Sequence, residues 1–131
     1  MNALVIFAVN VKALAGFYEA VLGLSPSPMP GDSKKDIRLG GDHAELLIHS
    51  IPERISKTIV IESPPVAREE TAMKPVFDVE SMTTALEQVR ALGGVVTERS
   101  FTLDGLTRHD IVDPEGNVVQ LRSSSARSLD L

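Results

Sequence analysis

Three histidines and one glutamate have the spacing closest to that of a metal site in this 131-residue chain. His43, Glu45 and His49 alternate by twos, so in a strand they share one face. With His109 facing them across the fold, they form a His–Glu–His set of the kind that grips a divalent cation and polarises an oxygen ligand. The plainer alternative is a solvated polar strand face near a rim, with His43 exposed beside the turn Gly40-Gly41-Asp42.

A second polar group lies in the last quarter of the chain. Gln120, flanked by Val119 and Leu121, is expected to face a cavity while its neighbours pack against a helix. The alternative is an amide that only bonds a neighbouring strand. Arg122 shares that face, placed either to meet an anionic ligand group or to lie in solvent. Within Arg108-His109-Asp110, either His109 or the Arg108–Asp110 pair faces inward, and alternation leaves both open. Phe101, in an expected loop Arg99–Asp104, is either a lid over a cleft or an apolar anchor. Tyr18, the only tyrosine, is expected in the core. No nucleophile–base pair, phosphate-cradling glycine loop or paired-carboxylate motif appears; Gly40-Gly41 and Gly93-Gly94 suit a hairpin and a helix end.

The elements that must position these residues read twice. Leu4–Val9 is an apolar strand, Asn10 a cap, and Leu14, Phe17, Tyr18, Val21 and Leu22 the stripe of a helix stopped by Gly23. Pro75–Val79, Ser81, the stripe Met82, Ala85, Leu86 and Val89, and Gly94 repeat that grammar. Both caps and both stops are offset by 71 positions, so an internal repeat is expected. After the first helix come a turn-rich stretch with at most a short edge strand, then a hairpin of Asp36–Leu39 and Ala44–His49. Ser50-Ile51-Pro52-Glu53 has capping-box form, and Thr58–Glu62 reads as a further strand. After the second helix come strands at Val95–Thr97, Leu106–Val112 and Val118–Arg122. Asp113-Pro114-Glu115-Gly116-Asn117 between the last two is a type I turn signal. The chain divides into modules at about 1–62 and 72–123, with a linker at 63–71 and a frayed tail at 124–131, all within one domain.

Composition narrows the function. Hydrophobic content of 43% with 24% charged residues is ordinary for a globular domain, and the length buries roughly two-thirds of the unfolded surface. A net charge of −5 argues against nucleic acid or an anionic membrane surface as partner. There is no cysteine, which excludes disulfides and thiolate chemistry and fits a cytoplasmic setting. The apolar start lacks a preceding Lys or Arg, so a buried strand is expected there, not a signal peptide. No stretch approaches the ~20 apolar residues of a membrane span. At 4% aromatic residues and without tryptophan, a wall of stacking rings is not evident.

Phe17-Tyr18 followed by Val21-Leu22-Gly23, together with DPEGNVVQL at 113–121, resembles the vicinal oxygen chelate superfamily of glyoxalases, bleomycin-resistance proteins and extradiol dioxygenases. The resemblance implies an α+β fold of two βαβββ modules pairing into an open mixed-sheet barrel with helices outside, and a homodimer. It also implies a small ligand in the concave cleft and, in many members, a metal held by His and Glu from four strands. The corresponding positions here are Ala3, Lys74 and Gln120, with the fourth at Glu45 or Leu47. At least three of the four lack the usual ligand, so no metal and no cofactor are expected. The expected function is metal-independent binding of a small molecule, with Gln120, His109, His49, Glu45, Arg122 and Phe101 as candidate contacts. The alternative is a metal-dependent lyase, isomerase or dioxygenase using a shifted site at His49, Glu45 and His109.

Overall fold

A computed structural model describes residues 3–68 and 71–124. The first half runs β1 (Ala3–Ala8), α1 (Val11–Leu22), β2 (Ser25–Pro26), β3 (Ile37–Gly40), β4 (Glu45–Ser50) and a single turn, α2 (Glu53–Ser56). The second runs β5 (Val76–Asp78), α3 (Met82–Ala91), β6 (Val95–Leu103), β7 (Leu106–Val112) and β8 (Val118–Ser124). Each half is thus a βαβββ module with its own four-stranded sheet, ordered β1-β4-β3-β2 and β5-β8-β7-β6. In both, the first strand pairs in parallel with the last, and the remaining pairs are antiparallel. The expected duplicated architecture is present as two mixed sheets that are not closed into a barrel.

Local chemistry sets the helices. The Asn10 side chain accepts from the Ala13 N–H at 3.1 Å, and Gly23 ends α1 at φ 67°, a left-handed position that glycine takes without a Cβ penalty. Ser81 caps α3 by accepting from the Thr84 N–H at 3.2 Å. Leu14, Phe17, Tyr18 and Val21 of α1 and Met82, Ala85 and Val89 of α3 are buried in one core with Leu39, Leu46, Ile48, Ile111, Val119 and Leu121. Fully burying each large side chain contributes about 1.5–3 kcal/mol. The helices of the two modules meet in this core beside Gly94. A Cβ there would lie 2.7 Å from the Val112 carbonyl, 2.8 Å from the Phe17 ring and 2.9 Å from Val89. Glycine is required at that position by space.

Three local expectations need correction. Thr58–Glu62 forms no strand: the Lys57, Thr58 and Ile59 amides bond back to Glu53, Ile55 and Ser56, so successive turns take the donors a strand needs. Ser50 does not cap α2. It ends β4, where its N–H donates to Asp36 Oδ1 at 2.9 Å, and Pro52 holds the cap position. Phe101 is not in a loop, because β6 continues through a register shift between Val96 and Ser100 to Leu103. It turns into β7 at Asp104-Gly105, both with positive φ, the two-residue hairpin that Asp-Gly favours. Of the expected tail, Ser124 belongs to β8 and residues 125–131 lie outside the described residues, as do 69–70 of the linker. Among the described residues no helix is long and apolar enough to cross a membrane.

No strand pair joins the two sheets among the described residues. Besides the α1–α3 packing, the turn between β7 and β8 ties the modules. Buried Asp113 accepts from the Glu115 and Asn117 N–H groups and from Asn117 Nδ2, which shapes the turn. Its other partner is the Tyr18 hydroxyl, which donates at 2.7 Å from the opposite module. Burial, then the Asp113 charge, pushes the Tyr18 pKa well above 10. Two residues on, the Glu115 carboxylate accepts from the Val9 and Asn10 N–H groups, each at 2.8 Å. It also places negative charge at the N-terminus of α1, where the helix dipole favours it.

Candidate functional site

Each sheet buries one face against its helix and leaves the other open. On the first sheet the open face carries Val5, Phe7, Glu45, Leu47, His49 and Arg38, since Val5 pairs with Leu47, Phe7 with His49 and Arg38 with Leu47. Arg38 is the hub, donating to both Asp32 oxygens at 2.9 and 3.0 Å and to Glu45 Oε1 at 2.7 Å. The Arg38 hydrogen bonds and the Met29 N–H lower the Asp32 pKa to about 2. His49 Nδ1 faces Asp36 Oδ2 at 2.7 Å, with its ring edge-on to Phe7 at 5.3 Å. Glu45 and His49 therefore share the expected face, but each is engaged by a different partner. His43 precedes β4, exposed near the β3–β4 turn.

On the second sheet, strand register decides what the sequence left open. Asp110 pairs with Gln120 and Arg108 with Arg122, so these four share the open face. His109 pairs with Leu121 on the helix-packed side, where Nε2 donates to the Thr97 carbonyl at 2.6 Å. The structure thus does not bring His109 together with His49 and Glu45. Among the described residues no three His, Cys, Asp or Glu side chains form a set that could hold a metal. Gln120 is buried, donating to Asp110 Oδ1 at 3.2 Å and accepting from Arg108 at 3.3 Å. Lys74 closes on the same carboxylate at 3.0 Å and Arg99 at 3.4 Å. Arg122 is not free for an anion: it grips Asp78 through two bonds of 2.6 and 3.0 Å and holds that carboxylate below its usual range. Phe101 pairs with Arg108 and is 40% exposed. Sequence alternation offers Asp110 and Arg108 only as one of two options, and Lys74 only as a lost ligand. The turn at Asp113–Asn117, pairing Val112 with Val118, already fixes Asp110 opposite Gln120.

The same register locates the four positions that the resemblance implies as metal ligands in many members. With the 71-residue offset, Ala3 corresponds to Lys74 and Val5 to Val76. Val5 pairs with Leu47 and Val76 with Gln120, so the position matching Gln120 is Leu47, two residues from Glu45. The set is then a methyl group, an isobutyl group, an ammonium and a carboxamide. A hard divalent cation needs several anionic oxygens or imidazoles, and these residues do not fit one.

A cavity of about 610 Å³ lies where the end of α1 and the β3–β4 turn face β5. Leu24, His43, Val76, Asp78, Ser81 and Thr84 line it. Val76 and Asp78 belong to the open face of the second sheet, so cavity and face adjoin.

Comparison with known proteins agrees with this geometry. The model of the family described as "Glyoxalase-like domain" matches residues 3–122. A glyoxalase/bleomycin resistance protein from Albidiferax ferrireducens T118 superposes with a TM-score of 0.66 at 16% identity, covering 94% of this chain and 97% of that one. The fosfomycin resistance protein FosX from Mesorhizobium loti gives 0.64 at 9% identity, covering 95% of this chain and 91% of that one. A hypothetical protein, SA1046 from S. aureus, gives 0.66 at 13%, covering 94% and 96%. At these identities the likeness is one of fold. No curated protein matches the chain closely in sequence.

Proposed function

Because the chain belongs to the glyoxalase-like domain family of the vicinal oxygen chelate superfamily, we propose that it is a metal-independent binding protein for a small molecule. In this reading the ligand lies against the open sheet faces and the adjoining cavity, and acts by occupancy without a catalytic step. The observation that carries it is the donor set at the four family positions. Ala3 and Leu47 cannot ligate, Lys74 presents a cation and Gln120 is spent on Asp110 and Arg108.

A homodimer belongs to the same reading. Val5 and Phe7 on the first open face are 49% and 59% exposed, and Phe101 and Leu103 on the second are 40% and 53% exposed. Apolar strand faces of this kind favour coverage by a second copy. Light scattering on the purified chain checks the mass, and a cytoplasmic location is checked by cell fractionation. The decisive experiment is elemental analysis after purification without chelators, with a thermal-shift series of Zn²⁺, Mn²⁺, Ni²⁺ and Mg²⁺. The expected result is no stoichiometric metal and no metal-dependent rise in Tm. One tightly held transition metal per chain overturns the reading.

A further inference from the structure

Arg108 stands on the open face of the second sheet with its guanidinium only partly engaged. Nη1 donates to Gln120 at 3.3 Å, while the buried Nε has no hydrogen-bond partner among the described residues. Buried donors are almost always paired, most of all on a charged group, so this N–H marks a place where an acceptor belongs. The neighbouring cations are already committed: Arg122 to Asp78, and Lys74 and Arg99 to Asp110. The face therefore sets four cations against two carboxylates, in a chain whose net charge is −5. Phe101 is the cross-strand partner of Arg108, and Val76, 41% exposed, sits across Gln120 on β5.

A planar guanidinium fork beside a ring and an aliphatic side chain suits an oxyanion attached to an apolar body. We propose that Arg108 is the anion-recognising residue of the cleft, and that the ligand is a small carboxylate, phosphate or phosphonate whose apolar part lies against Phe101 and Val76. This assignment rests on the binding-protein reading above and names its ligand class.

The test is a titration of ¹⁵N-labelled protein with benzoate and phenylphosphonate, with benzamide and benzylamine as neutral and cationic controls. Both anions are expected to shift the Arg108 Nε–Hε resonance, and the tighter of the two identifies the preferred oxyanion. In Arg108→Gln and Arg108→Ala the anion affinity is expected to fall at least tenfold. The resonance of the unaltered protein decides the matter should either variant fold poorly. Unchanged anion affinity in the variants, or benzamide binding as tightly as benzoate at this face, overturns the anion assignment and leaves a binding cleft standing. If none of the four probes perturbs this face, the assignment fails together with the cleft it rests on, whatever the metal analysis returns.

Discussion

Replacing Tyr18 with phenylalanine deletes one hydroxyl from the core and one bond between the modules. The ring stays, so the packing against Phe17 (5.0 Å) and Phe77 (6.3 Å) is retained. What goes is the 2.7 Å bond to Asp113, a hydrogen bond to a charged group of the sort that contributes about 1.5–3 kcal/mol. Asp113 keeps its donors from Glu115 and Asn117, so the carboxylate is not stranded and a loss of about 2 kcal/mol is expected. At ordinary unfolding entropies that lowers Tm by roughly 7 °C for a chain of this length. Asp113→Ala is expected to cost more, about 3–5 kcal/mol, because it strands several buried donors at once. Urea unfolding of both single variants and the double variant then gives a coupling energy of about 1.5 kcal/mol. Alkaline pH offers an independent reading. The Tyr18 pKa is raised in the folded state, so its contribution is fully present below the unfolded value near 10 and is lost as pH rises above it. As Tyr18 is the only tyrosine and tryptophan is absent, absorbance at 295 nm reports it alone. The expected trace shows no phenolate until the protein unfolds. A Tyr18→Phe loss below about 0.5 kcal/mol, or phenolate forming in folded protein near pH 10, refutes the reasoning.

Gly94→Ala is expected to cost about 1–3 kcal/mol by overpacking the α1–α3 contact, measured by urea unfolding. Glu115→Ala removes both acceptors for the Val9 and Asn10 N–H groups, and a loss of about 2 kcal/mol is expected in the same assay. The Asp32 carboxyl carbon, followed by NMR, is expected to titrate with a midpoint near pH 2. Because that value is depressed, the stabilisation it brings is present above about pH 4 and is lost as pH falls toward 2.

The helices and the duplication were legible because caps, stops and apolar stripes are local signals. Asn10 and Ser81 do at their helices what their spacing predicts. The long β6 was not, since Arg99–Asp104 reads as a loop, whereas the positive φ values of Asp104 and Gly105 make those two residues a hairpin turn that lets the strand run to Leu103. The two orientations of Arg108-His109-Asp110 were separable in principle, because the Asp113–Asn117 turn sets the β7–β8 register. What no local pattern carries is the reach of Tyr18 to Asp113 or of Glu115 to Val9. Those bonds depend on how two modules lie against each other. The burial of Gln120 under Lys74, Asp110 and Arg108 is of the same kind: alternation assigns its face, but only the neighbouring strands supply its partners.

The way the halves are joined has a consequence for the order in which the chain assembles. Strand pairing is internal to each half, Ala3 with Glu45 and Val76 with Gln120, so either sheet can form from residues less than half the chain away. Among the described residues the most distant hydrogen-bond partners, 95 to 106 positions apart, are Tyr18 with Asp113 and Glu115 with Val9 and Asn10. Closing those large loops is the slow, entropically costly event, and it comes once each half has its own hydrogen-bond ladder. Substitutions in that latch are therefore expected to accelerate unfolding far more than they retard refolding.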